Sequence, residues 1–417
     1  MSKRNENRPG YKKTKVGWIP EEWTPVKLGN CFKLASGETK PSIISEYPNN
    51  KENVPVYGGN GILGYTSQVF DDCKCIIIGR VGEKCGCVHL VKGPHFITDN
   101  ALFTKAWLLD VSIEYFAYFL DYFKLSRLRN KGGQPLVSQK PIYAVTIPLP
   151  PLPEQKKIAE SLSAWDRAIE QVGKLIDAKQ RLKKGLMQQL LTGRMRFPEF
   201  NHETHERHEK DKGELPVGWK ACKLGACFKE RKETNPDLPL LAITSDRGVI
   251  PRDEVERKDT SNADKSKYKR IAPGDIGYNT MRMWQGVSAV STLEGIVSPA
   301  YTICTPRKGH SSSFFGYLFK YPPMIHLFHR FSQGLVSDTL NLKFRHLSQV
   351  KANVPSETEQ TRIAAVLSAC DRGIELLKKK QEKLRKQKKG LMQKLLTGEV
   401  RHPKFLKDEP GGPNNET

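Results

Sequence analysis

A long internal repeat constrains this chain more than any other feature. Shifting the sequence against itself by about 205 residues aligns EQKKIAESLSAWDRAIE, starting at Glu154, with EQTRIAAVLSACDRGIE, starting at Glu359. The same shift aligns KKGLMQQLLTGRMRFPEF with KKGLMQKLLTGEVRHPKF, so the matched stretches run from Glu154 to Phe200 and from Glu359 to Phe405. A second match, at an offset of 196, pairs Pro20, Trp23, Leu28, Gly29, Cys31 and Phe32 with Pro216, Trp219, Leu224, Gly225, Cys227 and Phe228. The repeating unit is a globular segment followed by a long helix, present twice. The change of offset makes the second globular segment the longer by about nine residues.

Both helical stretches carry a seam. Ile158, Leu162, Trp165, Ile169, Val172, Ile176, Lys179, Lys183, Leu186 and Leu190 follow one another in alternating steps of four and three. Ile363, Leu367, Cys370, Ile374, Leu377, Gln381, Leu384, Lys388, Leu391 and Leu395 do the same. That spacing is the signature of a coiled-coil seam. Each stretch opens after a Pro-containing run with Glu154 or Glu359, which suits a helix N-terminus, and ends at LLTG, where Gly193 and Gly398 serve as C-caps. A helix of about 38 residues is a rod of roughly 57 Å. Two copies packed about a pseudo-two-fold axis place their rods antiparallel.

The remaining boundaries follow from composition. Residues 1–16 read as a loose basic tail and 17–150 as a first globular domain. Residues 151–197 form the central helix, and 198–214 a charged linker. A second domain spans 215–353, followed by the C-terminal helix over 354–400 and a polar tail over 401–417. In the domains, short apolar runs such as CIIIGRVG and GVSAVST, bounded by Gly, Asn and Pro, predict strands and turns. IEYFAYFLDYF has helical spacing, with Phe116, Phe119, Leu120 and Phe123 on one face. FFGYLFKYPPMIHLFHRF predicts helix broken at Pro322 and Pro323. The fold class is α+β: two domains joined by two long helices that form an antiparallel coiled coil.

Lys and Arg outnumber Asp and Glu by 68 to 45, a net charge of +23, which points to a polyanion partner. The densest basic run, KKKQEKLRKQKKG at 378–390, is suited to phosphate contact. No apolar run is long enough for a membrane span, and the polar N-terminus has no secretory pattern. The nine scattered cysteines are expected as reduced thiols of a cytoplasmic protein.

Local motifs favour binding over catalysis. GNGILG at 59–64 fits the dinucleotide pattern GxGxxG, but a strand-like stretch follows it, which makes it a Gly-rich hairpin. Cys73, Cys75, Cys85 and Cys87 have CxC spacing, whereas structural zinc uses wider spacing, so buried thiols are the favoured reading. His202, His205 and His208 lie in the charged linker without further ligands. GRVGEK at 79–84 lacks the P-loop ending, and neither HExxH nor GxSxG is found.

The matching helix starts PLPPLPEQKKIA and VPSETEQTRIA, and the ends KKGLMQQLLTGRMRF and KKGLMQKLLTGEVRH, resemble the repeated spacer regions of the specificity (S) subunits of type I restriction–modification enzymes. PVYGGNGILGYT, IIIGRVG, ITDNALF, APGDIGYNTMRMWQG and GIVSPAYTI resemble that family's target-recognition domains. The resemblance covers nearly the whole chain. It implies a non-catalytic subunit that binds double-stranded DNA, each domain reading half of a split, asymmetric site. It further implies assembly with two methylation (M) subunits, and with restriction (R) subunits in the full complex. S-adenosylmethionine, ATP and Mg²⁺ would belong to those partners, with no cofactor in this chain. A coiled-coil adaptor with no sequence-specific DNA role is the alternative; it explains the rods but leaves the charge and the divergent domains unexplained.

Base-contacting residues do not transfer by motif in this family, so candidates rest on chemistry: Arg and Lys suit guanine, Asn and Gln suit adenine. In the first domain these are Asn60, Arg80, Lys84, Gln134, Ser138 and Lys140. In the second they are Asn279, Arg282, Trp284, Gln285, Gln333 and Lys343.

Overall fold

The computed structural model describes residues 5–130, 132–200, 215–256, 261–336 and 339–402. Two compact units emerge: residues 1–173 with 379–417, and residues 174–378. Each unit contains one globular domain and a portion of both long helices.

Along the first unit the strands are β1 (Tyr11–Thr14), β2 (Gly17–Pro20), β3 (Thr24–Lys27), β4 (Phe32–Ser36), β5 (Val54–Gly58), β6 (Gly61–Thr66), β7 (Cys75–Gly79), β8 (Val88–Val91), β9 (Phe96–Ile97) and β10 (Ala101–Trp107). Helices α1 (Ile113–Phe123) and α2 (Gln139–Ala144), strand β11 (Thr146–Leu149) and the long helix α3 (Leu152–Leu190) follow. The central sheet has the order β4-β10-β7-β8, all antiparallel. A second sheet, β6-β5-β9, flanks it, and β3 pairs with β11 as the chain leaves for the helix. All five residues of β7 are buried, as a continuous apolar run in a sheet centre requires.

Helix α1 forms where its aromatic spacing predicts. Ser112 caps it by accepting from the Tyr115 N–H, and Lys124 ends it in the left-handed region at φ 60°. Tyr115, Phe116, Phe119 and Leu120 are buried, and Phe123 packs against the same core at its margin. That core is continuous with the rods: Trp23, Phe32 and Phe116 belong to one cluster with Ile158 and Leu162 and with Met392, Leu395 and Leu396. Residues 5–14, expected as a loose tail, are held down instead. Arg8 donates to the Glu399 carbonyl at 2.8 Å and the Tyr11 hydroxyl to the Gly398 carbonyl at 2.6 Å, so the basic hairpin β1–β2 is fastened to the end of the second rod.

In the second unit the elements are β12 (Lys220–Lys223), α4 (Leu224–Cys227), β13 (Phe228–Glu230), β14 (Leu241–Thr244), β15 (Gly248–Pro251), β16 (Lys269–Ile271), β17 (Ile276–Asn279), β18 (Ser288–Val290), β19 (Gly295–Val297) and β20 (Tyr301–Pro306). Then come α5 (Ser312–Leu318), α6 (Pro322–Phe331), α7 (Phe344–Leu347), β21 (Lys351–Val354) and the long helix α8 (Glu357–Leu396). The sheet β13-β20-β17-β18 repeats the order of the first domain, and β12 pairs with β21 as β3 does with β11. Pro322 and Pro323 start α6, because proline is accommodated in a first helical turn and breaks a helix interior. The domain interiors hardly align in sequence, yet they build one framework. A sheet needs only alternating apolar positions, which many sequences satisfy.

The rods pair antiparallel within each unit. In the first, Asp166 accepts from Lys388 at 2.6 Å, and Gln381 donates to the Ile169 carbonyl at 3.2 Å. In the second, Asp371 accepts from Lys183 at 2.6 Å, and Gly373 lies against the Lys179 side chain. Two of the three lysines that interrupt the apolar seam, Lys183 and Lys388, are therefore answered by aspartates of the opposite rod. Gly193 and Gly398 take φ of +69° and +70°. A Cβ on them would stand 2.6 Å from Pro216 and from Pro20, so both the turn and the packing demand glycine. No described helix is long and apolar enough to cross a membrane.

Candidate nucleic-acid interface

Each domain is tied to its rods by the same set of contacts. Gln155, in the first turn of α3, accepts from the Ser112 N–H at 2.9 Å and donates to the Pro150 carbonyl at 2.9 Å. Gln360 accepts from the Ser311 N–H at 2.8 Å and donates to the Pro355 carbonyl at 2.9 Å. One turn of chemistry thus joins the N-cap of the domain helix to the start of the rod. Further along, the Tyr118 hydroxyl donates to Asp166 and the Tyr317 hydroxyl to Asp371, both at 2.8 Å. Lys388 and Lys183 bond the same carboxylates and lie 5.0 and 5.2 Å from the tyrosine ring centroids. Burial, reinforced by the aspartate hydrogen bond, pushes both phenols well above their ordinary range, so they remain donors.

A buried ion pair closes each unit. Glu154, 0% exposed, accepts two bonds from Arg401, at 3.0 and 2.7 Å, and one from the Trp23 indole at 3.0 Å. Arg401 also pairs with Glu22. In the second unit Glu359 accepts from Arg196 at 2.9 and 2.7 Å. There the indole N–H of Trp219 is buried without a partner among the described residues. Each pair joins the start of one rod to the segment just past the end of the other. Bidentate guanidinium–carboxylate geometry fixes orientation as well as charge.

With the domains so held, the candidate base-contacting residues fall on a few loops. In the first domain Asn60 is exposed at the β5–β6 turn. Gly59 beside it packs on the Val81 carbonyl, which a Cβ would approach to 2.6 Å. Val81 bridges Leu136, and Gly82 donates to the Pro135 carbonyl. The turns at 59–61 and 80–85 and the loop at 134–138 are therefore neighbours. They bring Asn60, Lys84, Gln134 and Ser138 to one end of the domain, all exposed, with Lys140 exposed just beyond on α2. Arg80 is half-buried and partly committed: its guanidinium donates to the Ser36 hydroxyl at 3.0 Å. In the second domain Asn279, Arg282, Trp284 and Gln285 share the turn after β17. Arg282 and Gln285 are exposed. Asn279 accepts from the Met281 N–H and Trp284 donates to the Met281 carbonyl, so these two shape the turn. Gln333 pairs with Asn341, and Lys343 is exposed at the start of α7.

The backbone shows how the two loop sets correspond. Arg80 N–H donates to the Asn100 carbonyl and Val137 N–H to that of Arg80; Thr280 N–H donates to Ala300 and Leu342 N–H to Thr280. Ser138 thus corresponds to Lys343, and Lys140 to Arg345, which is exposed and which sequence reasoning passed over. The signal was available: Val137 to Lys140 and Leu342 to Arg345 are 205 apart, the offset of the rods. Arg247, exposed at the β14–β15 turn that corresponds to the turn of Asn60, was also missed.

The other motifs take these places among the described residues. GNGILG forms the β5–β6 hairpin. Cys75 contacts His95 at 3.5 Å and Cys87 contacts His89 at 3.4 Å, while Cys85 is buried. Burial pushes the Cys75 thiol up to about 12. Among the described residues no group of three His, Cys, Asp or Glu side chains could hold a metal ion. The linker histidines lie outside the described residues.

Comparison with known proteins agrees with this architecture. A family profile described as the type I restriction modification DNA specificity domain matches residues 20–180. The MjaVIII type I restriction enzyme specificity subunit of Methanocaldococcus jannaschii is 27% identical over 414 residues, covering 92% of this chain and 94% of that protein. A crystal structure of the S subunit of a type I restriction–modification system from M. genitalium shares the fold, with a TM-score of 0.60 at 15% identity, over 95% of this chain and 99% of that one. The matched repeats and these comparisons make the chain similar, over most of its length, to the specificity subunits of type I restriction–modification systems.

Proposed function

We propose that this chain is the DNA-recognition subunit of a type I restriction–modification complex, each domain reading one half of a split, asymmetric site in double-stranded DNA. Members of this family are the non-catalytic partners of the assembly, so the methyltransferase and endonuclease activities reside in other subunits. The observation that carries the reading is one framework, tied twice to the rods by the same bonds, that presents unlike loops. Arg80 stands where the second domain has Thr280, Ser138 where it has Lys343, and Lys140 where it has Arg345. Unlike loops on like frames suit two different base sequences. The rods would set the gap between half-sites, and their repeated faces would dock two methylation subunits. Restriction subunits would join in the full complex, with S-adenosylmethionine, ATP and Mg²⁺ used by the partners.

Mapping methylated adenines across the genome with and without the gene tests this. A split, asymmetric motif should vanish on deletion; an uninterrupted palindrome, or no lost motif, would overturn the reading. Within that experiment Arg282→Ala should relax one base position of the second half-site. A bidentate arginine–guanine contact supplies about 1–3 kcal/mol of discrimination. A methylation motif unchanged in every position refutes the assignment of Arg282.

A further inference from the structure

The second domain holds a thiol pair that the first lacks. Cys222 lies on β12, and Cys227 closes α4 five residues later. Their sulfurs are 3.2 Å apart, in a hydrogen-bonded contact. Cys222 is half-buried, whereas Cys227 is fully buried, so one sulfur is open to a small reagent and the other waits behind it. At the offset of 196, Cys227 corresponds to Cys31 but Cys222 to Val26. The Cys31 sulfur donates to the Lys27 carbonyl at 3.4 Å. The surroundings of Cys222 are basic: Lys220 and Lys223 share its strand, and Lys351 pairs with Lys223 across the β12–β21 ladder.

We propose that Cys222 and Cys227 form a hydroperoxide-sensitive dithiol that closes to an intrachain disulfide. The Cys222 thiolate attacks one peroxide oxygen; an S–O bond forms, the O–O bond breaks, and the departing hydroxide takes a proton to become water. The Cys227 sulfur then attacks the sulfenic sulfur of Cys222. The S–S bond forms, the S–O bond breaks, and the hydroxide leaves as water with the Cys227 proton. Two thiols and one hydrogen peroxide thus give one disulfide and two waters. The hydrogen bond from Cys227 lowers the Cys222 thiol to about 7, against the opposing effect of burial, which keeps thiolate available at neutral pH. The new bond would staple β12 to the end of α4, beside the β21 strand that leads into α8. Val26 excludes the same event from the first domain.

The test uses the folded full-length chain carrying Cys73→Ser, which removes the exposed thiol. Treatment with hydrogen peroxide should remove two titratable thiols and two hydrogen atoms of mass. Tryptic digestion should then yield peptides 221–223 and 224–229 as a linked pair that dithiothreitol separates. Adding Cys222→Val, the residue of the first domain, should abolish the linkage. Oxygen atoms added to Cys222 with Cys227 left free, thiol loss spread over the other cysteines, or no reaction would each overturn the proposal.

Discussion

Inserting one heptad into both rods, after Gly173 and after Lys378, should abolish methylation of the native site. These points lie at the boundary between the two units, so Asp166–Lys388 and Lys183–Asp371 keep their partners. Seven residues add about 10.5 Å at 1.5 Å each. At 3.4 Å per base pair that is roughly three base pairs. A heptad returns the rod faces to within about 20° of their starting direction. Three base pairs, in contrast, turn the duplex by about a third of its 10–10.5 bp turn. The variant should therefore methylate sites with a longer spacer and unchanged half-sites, or none at all. Methylation of the original motif at the original spacing would sink the ruler reading. A heptad placed in one rod alone breaks the register of one ion pair and should abolish activity outright.

Arg401→Ala should be the most damaging single substitution in the first unit. It strips a fully buried Glu154 of both guanidinium bonds and leaves only the Trp23 indole. Breaking a buried ion pair by removing one partner costs about 3–5 kcal/mol. Amide hydrogen exchange should show the loss as deprotection of the first turns of α3, with the second unit unaffected. The pair Glu154→Leu with Arg401→Met should recover most of it, because apolar replacement removes the uncompensated charge. It leaves the Trp23 N–H buried and unpartnered, a state the second unit already tolerates at Trp219. Unchanged exchange in Arg401→Ala would show that the pair contributes little.

The legible part of the structure was whatever repeats locally. A 3.5-residue period, a Gly after LLT and a Pro pair in a helical run act over a few residues, and each appears where predicted. What escaped reading depends on distant partners. Glu154 and Glu359 were read as favourable charges at helix starts; their principal partners are Arg401 and Arg196, 247 and 163 residues away in sequence. Lys183 and Lys388 were read as seam positions, and their partners Asp371 and Asp166 lie on the opposite rod, far off in sequence. The common sheet framework of the two domains was hidden because alternation of apolar residues leaves identity free. Among the candidate contacts Arg80 carried a cost that sequence cannot display, its bond to Ser36, while Arg345 was missed because the rod offset was not carried back into the domain.

The ion pairs have a consequence for how the two halves of the gene can change. Asp166 belongs to the first copy and Lys388 to the second; Lys183 and Asp371 reverse the arrangement, as do Glu154 with Arg401 and Arg196 with Glu359. Every one of these bonds joins residues encoded in different copies. A drift in either copy must be answered in the other, so the duplicated rods are bound to stay alike. The loops that carry the candidate base contacts take part in none of these ion pairs, and there the two copies were free to part.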